Sequence, residues 1–210
     1  MALYKTITVN PNTKVLIWKI EESYEELEKG LTLTPKCLKR LESMKSDIHQ
    51  KGFLSIRQLL KLAGYTPYDL YYDENGKPHL IDGKEISITH SFQFSSIIIG
   101  QENVGIDIEM MRPKILRIAN KFTILEAYQT LGHEEAIVRK LTMVWCAKEA
   151  LYKMYATPGL SFLQHIDIHD FFVETYRTLG NIIYQGKVTT YEIYFEEMEG
   201  FMCGYALKID

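Results

Sequence analysis

A helical pattern running from about Glu134 to Tyr155 does most to limit how this chain can fold. Ile137, Leu141, Val144, Leu151 and Met154 fall at helical spacings and draw one apolar stripe along it. Upstream lies Val104-Gly105-Ile106-Asp107-Ile108-Glu109, which alternates apolar and acidic residues as a half-buried strand does. Ile106 and Ile108 then face one way, Asp107 and Glu109 the other. Two residues along a strand span about 6.6 Å, so both carboxylates come within reach of one cation. On the helix, a spacing of four places Trp145, Glu149 and Lys153 on one stripe, with Lys148 beside it. A carboxylate pair on a strand, with a third carboxylate and two lysines on a helix, suits a divalent metal holding a polyphosphate. The plainer alternatives are a wet strand face and an exposed Glu149–Lys153 pair worth a few tenths of a kcal/mol, roughly. Trp145 argues against full exposure of that stripe.

The rest of the chain reads as strands and helices, then strands again, twice over. Residues 4–10 and 14–20 form two short strands about an Asn-Pro-Asn turn. Ser23 and Glu26 have the spacing of a capping box, and Thr34-Pro35 opens a second helix. A third helix runs from about Ile48 to Ala63, with Phe53, Ile56, Leu59, Leu60 and Ala63 on its buried face. Residues 70–81 are strand, turn and strand, with Asn75-Gly76 at the turn. Residues 85–91 alternate as a strand that ends in Thr89-His90-Ser91, and 95–100 form another. Helix is expected from about Ile115 to Phe122, and Thr123 with Glu126 reads as a capping box for one more. Residues 165–208 read as several strands, the last two a hairpin turning near Glu199-Gly200. The class is α+β with segregated elements.

Bulk properties exclude several functions. Lys and Arg number 24 against 27 Asp and Glu, so net charge gives no reason to expect nucleic acid or an anionic membrane surface as partner. No apolar run approaches the roughly eighteen residues that span a bilayer. Three cysteines without metal-ligand spacing suit a reducing compartment, and the N-terminus lacks the apolar core of a signal peptide, so the expected location is cytoplasmic.

Gly-Ile-Asp-Ile-Glu at 105–109, followed about forty residues later by Trp-x-x-Lys-Glu-Ala-x-x-Lys at 145–153, resembles the signature pair of the 4′-phosphopantetheinyl transferase superfamily. Both motifs, in order and at this separation, are specific. The length resembles the surfactin-synthetase-activating type, whose members are monomers of two similar α/β halves about a pseudo-two-fold, with the active site between them. The halves would be residues 1–102, carrying coenzyme A-binding elements, and 103–210, carrying the metal strand and the Trp-x-x-Lys-Glu helix. The resemblance implies transfer of the 4′-phosphopantetheine arm of coenzyme A to a serine of an apo acyl or peptidyl carrier protein, releasing 3′,5′-ADP. Magnesium, or manganese in its place, would be held by Asp107 and Glu149, with Glu109 direct or through water. Lys153 would act on the reacting phosphates, and Lys148 and His90 on other coenzyme phosphates. Gly76, Lys77 and Pro78 match the superfamily's coenzyme loop. Thr89-His90-Ser91 matches its Ser-His-Ser motif, with Thr89 in place of the usual Ser and Ser87 where Asn is common. Lys51 and Arg57 correspond to basic residues on the matching helix of related transferases. Two rival readings are a metal-dependent phosphodiesterase or nucleotidyltransferase, and a non-catalytic homologue that binds carrier proteins or coenzyme A.

Overall fold

The computed structural model describes residues 3–209, and the chain divides after Glu102 into two compact units. Each pairs antiparallel strands with helix, so the fold is α+β.

The first unit opens with strands β1 (Leu3–Asn10) and β2 (Thr13–Lys19). Helices α1 (Tyr24–Glu28), α2 (Pro35–Ser43) and α3 (Asp47–Leu62) follow. Strands β3 (Leu70–Tyr72), β4 (Pro78–Leu80), β5 (Glu85–Ser91) and β6 (Phe94–Gly100) complete a six-stranded sheet in the order β1-β2-β6-β5-β4-β3. Local chemistry sets the helix starts. Ser23 and Glu26 make both halves of a capping box on α1, and the Thr34 hydroxyl accepts the Cys37 N–H at the start of α2. The apolar side of α3, Phe53, Ile56, Leu59 and Leu60, packs with Leu16 and Trp18 of β2, Ile86 of β5, and Ile97 and Ile99 of β6. A polar bolt crosses that core. Ser55 of α3 and Ser95 of β6, both fully buried, share a 2.8 Å hydroxyl–hydroxyl hydrogen bond.

The second unit is a five-stranded sheet in the order β7-β11-β10-β9-β8, formed by β7 (Val104–Met110), β8 (Ile166–Ile168), β9 (Arg177–Tyr184), β10 (Lys187–Met198) and β11 (Phe201–Lys208). One 22-residue helix, α4 (Glu134–Tyr155), lies on its face. Met143, Cys146, Ala147, Ala150, Leu151 and Met154 pack there with Ile193, Phe195, Met202 and Ala206. The helix lies close enough that Gly105 of β7 has no room for a side chain: a Cβ would fall 2.0 Å from the Ala150 carbonyl oxygen. The Asn103 amide, just before β7, donates to the Met154 carbonyl at 2.9 Å and ties the helix end to the strand start. Among the described residues no helix is long and apolar enough to cross a membrane.

One expectation from sequence fails between β7 and α4. Residues 113–131 form short 3₁₀ turns, Pro113–Arg117, Ala119–Lys121 and Leu125–Leu131, where α-helices were expected. Their bonds run three residues back, as from the Ile118 N–H to the Ile115 carbonyl and from Phe122 to Ala119. The tighter turns bring Ala119 and Phe122 onto Leu141 and Val144 of α4. The expected capping box at Thr123 is also absent, because its hydroxyl bonds the Tyr128 hydroxyl at 3.1 Å and the turn has no side-chain cap.

Gly105→Ala should lower unfolding stability by about 1–3 kcal/mol, the usual cost of overpacking, because backbone stands where the methyl would go. Urea denaturation measures it, and an unchanged midpoint would mean that α4 shifts on the sheet without cost.

Candidate functional site

In the second unit the chemistry collects where α4 crosses β7. Asp107 lies opposite Gly204 in the β7–β11 register and Glu109 opposite Met202. Asp107 is only 6% exposed, so it is no wet strand face. From α4, the Lys153 ammonium donates to Asp107 Oδ1 at 2.7 Å and to the Ile106 carbonyl at 3.0 Å. Glu149 stands one turn earlier, half-buried. Burial, then the charge of Asp107 and more weakly that of Glu109, push its carboxyl up to about 7, with Lys153 opposing but not cancelling the rise. Lys153 moves upward too. Burial works against its charge, but Asp107, by charge and hydrogen bond, and Glu149 outweigh it. Three carboxylates and one ammonium therefore sense one another across a single helix–strand contact.

That donor set fits a hard divalent cation in kind, since all its ligands are carboxylate oxygens. Among the described residues no three His, Cys, Asp or Glu side chains are grouped to enclose an ion on their own.

Lys148 does not join this group. Its ammonium donates to the Phe162 carbonyl at 2.7 Å and the Ile166 carbonyl at 2.6 Å, anchoring the loop after α4, and burial brings its pKa down to about 8. Its neighbour in the motif, Trp145, stacks on Phe162 and meets Phe122 at a tilt, with ring centroids at 5.4 and 4.9 Å.

In the first unit the predicted residues fall into three places. Thr89 and His90 end β5, the first buried and the second exposed, with His90 opposite Ser95 in register. Gly76, Lys77 and Pro78 form the β3–β4 turn. Asp73 holds it by accepting the N–H groups of Asn75 and Lys77, each at 2.9 Å, while Gly76 takes φ +82°. His79 bonds the same carboxylate at 3.2 Å, and these bonds, that of His79 foremost, hold Asp73 below the ordinary carboxylate range. The Lys77 ammonium sits 3.3 Å from Glu85. Lys51 pairs with Asp47 one turn back at 3.2 Å, the ordinary helical ion pair.

Arg57 is placed differently. It is 4% exposed, its guanidinium lies 3.4 Å from the Phe53 ring centre, and Nη1 donates to the Phe53 carbonyl at 3.2 Å. Its Nε has no hydrogen-bond partner among the described residues. Arg57 lines a cleft of about 380 Å³ that also takes in Lys36, Arg40, Phe53, Tyr71 and Gly76. Arg40 and Tyr71 are not singled out by the sequence reading. Lys36 and Arg40 share an i,i+4 edge of α2, the one signal that sets them apart from other surface cations.

No curated protein matches this chain. Residues 103–206, nearly the whole of the second unit, match the family model of the 4′-phosphopantetheinyl transferase superfamily, and in that region the chain is similar to this family.

Proposed function

We propose that this protein transfers the 4′-phosphopantetheine arm of coenzyme A to a serine of an apo acyl or peptidyl carrier protein. The observation that carries the reading is the contact of Lys153 with Asp107, 2.7 Å long, beside Glu149. These three side chains come from the two motifs of the resemblance and lie inside the region that matches the family.

The nucleophile is a serine hydroxyl and the target a phosphate within a pyrophosphate, whose charge repels attack. Magnesium, which accepts one or two carboxylates and completes its shell with water and phosphate, neutralises that charge when bound. Asp107 and Glu149 would hold it, with Glu109 direct or through water. Lys153 then serves the transferring and leaving oxygens as a charged donor. With Glu149 engaged on the metal, a water that it orients takes the serine proton. Arg57, with Lys36 and Arg40, suits the phosphorylated end of coenzyme A, and Tyr71 and Phe53 offer flat apolar walls beside those cations. Gly76, Lys77, Pro78, Thr89 and His90 complete the coenzyme-facing residues. Lys51 and Lys148 enter less directly, since each already serves a neighbour.

The defining experiment incubates the protein with coenzyme A, magnesium and a panel of apo carriers, and weighs the carriers by mass spectrometry. Phosphopantetheinylation of a carrier supports the reading, and hydrolysis of phosphodiesters with no carrier modified would replace it.

Asp107→Asn should lower transfer by about 10²-fold or more and weaken the response to added magnesium, and excess chelator should silence the wild type. Asp107 is buried against Lys153, so alanine would strand a charge and cost about 3–5 kcal/mol; asparagine removes the same charge but keeps the shape and an acceptor for the ammonium, and is the cleaner probe. Full activity in chelator or in Asp107→Asn would sink the metal assignment.

Lys153→Ala should cut turnover by about 10²–10³-fold, and Lys153→Arg should restore only part, because a planar fork replaces a point charge. Normal turnover with a slight loss of thermal stability would make Lys153 a structural partner of Asp107 alone.

Carriers of this kind are acidic around the modified serine, and Lys114, Arg117 and Lys121 supply exposed cations after β7. They do not lie on one α-helical edge. Lys114 and Arg117 instead share a side of a 3₁₀ turn, and Lys121 belongs to the next. Reversing Arg117 and Lys121 to Glu should raise KM for the carrier and leave KM for coenzyme A nearly unchanged, and salt should act in the same direction. Equal loss for both substrates would place the damage at the reacting groups.

A further inference from the structure

Helix α3 carries a glycine in its interior, at position 52, where glycine costs helix stability and no turn requires it. Its φ is not left-handed, so backbone conformation does not explain it. The surroundings do. A Cβ at Gly52 would find its three nearest atoms all in one ring: Cγ, Nδ1 and Cδ2 of His90, at 3.1, 3.3 and 3.4 Å. The imidazole rests on the bare α-carbon. One turn earlier on the same helix stands His49, its ring centre 6.1 Å from that of His90 and its plane tilted by 45°.

The seat is also fixed in place. Ser55, three residues after Gly52, accepts no freedom from its helix: its hydroxyl bonds the Gly52 carbonyl and Ser95 Oγ, both at 2.8 Å. Ser95 is the residue opposite His90 in the β5–β6 register. The helix is therefore pinned to the sheet beside His90, and both serines are fully buried. If a methyl group were added at position 52, the buried helix would hold and the exposed ring would give way.

We propose that Gly52 is a positioning residue for His90: it seats the imidazole against α3 and so sets the direction in which the ring nitrogens meet a coenzyme phosphate. The last clause rests on the transferase reading, whereas the seating of the ring does not.

The test compares four full-length proteins: wild type, Gly52→Ala, His90→Ala and the double variant. Gly52→Ala should melt no lower than wild type, because alanine is the better helix former. The His90 ring resonances, identified by their absence from His90→Ala, should shift in Gly52→Ala. KM for coenzyme A should rise about tenfold with kcat held within about twofold, as weakening one charge-assisted contact to substrate does. With His90 already alanine, adding Gly52→Ala should change neither constant, since the two act as a unit. Unshifted ring resonances, or a loss that is undiminished in the His90→Ala background, would overturn the proposal. If the wild type modified no carrier, the transferase reading would fall, and the ring resonances together with direct titration of coenzyme A would still decide what Gly52 does.

Discussion

In the second unit, a long helix is laid on a sheet at a distance that only a bare α-carbon permits, and the reactive groups depend on that spacing. Gly105 lets the Ala150 carbonyl come down onto β7. Glu149, the residue just before that carbonyl, and Lys153, almost one turn after it, then stand beside the strand's carboxylates. Were the helix to stand off by the width of a methyl group, the 2.7 Å Lys153–Asp107 contact would lengthen into a weak, water-filled one. The glycine of the Gly-Ile-Asp-Ile-Glu motif thus acts through packing, and the two acidic residues that follow it act through charge.

The same helix anchors more than the site. Lys140 and Lys148, both 5% exposed, use their ammonium groups to hold the chain that follows α4. Lys148 donates to the carbonyls of Phe162 and Ile166, and Lys140 donates to the Asp170 carboxylate and the Phe171 carbonyl. Burying a charge is costly unless its donors are satisfied, and these lysines are satisfied by backbone carbonyls and, for Lys140, by the Asp170 carboxylate. Two buried cations on one helix therefore fix the loop that supplies Phe162 to the stack over Trp145.

Much of this was legible from sequence wherever a local rule governs the outcome. Ser23 with Glu26, Thr34 before Pro35, and the Asn75-Gly76 turn each act through neighbours a few residues away, and each forms as expected. The alternation of Val104–Glu109 also gave the right faces, because period two survives burial. What it could not give was depth: Asp107 reads as the wet side of a strand, yet α4 covers it. Direction was equally hidden for Lys148, where one position along a helix decides between two surroundings that sequence does not display. Residues 113–131 misled for another reason. Their apolar spacing admits three or four residues per turn, and the demand to bring Ala119 and Phe122 onto α4 selected three.

Gly105 has a consequence for how variation in this protein would be interpreted. The position holds no proton, ligand or charge, yet any side chain there displaces the segment carrying Glu149 and Lys153. In a scan scored by activity alone, position 105 would rank among the chemical residues. Scored by abundance, it would rank with the core. Only a pair of assays, one counting folded molecules and one counting turnovers per folded molecule, would separate a residue that holds the distance from the residues that use it.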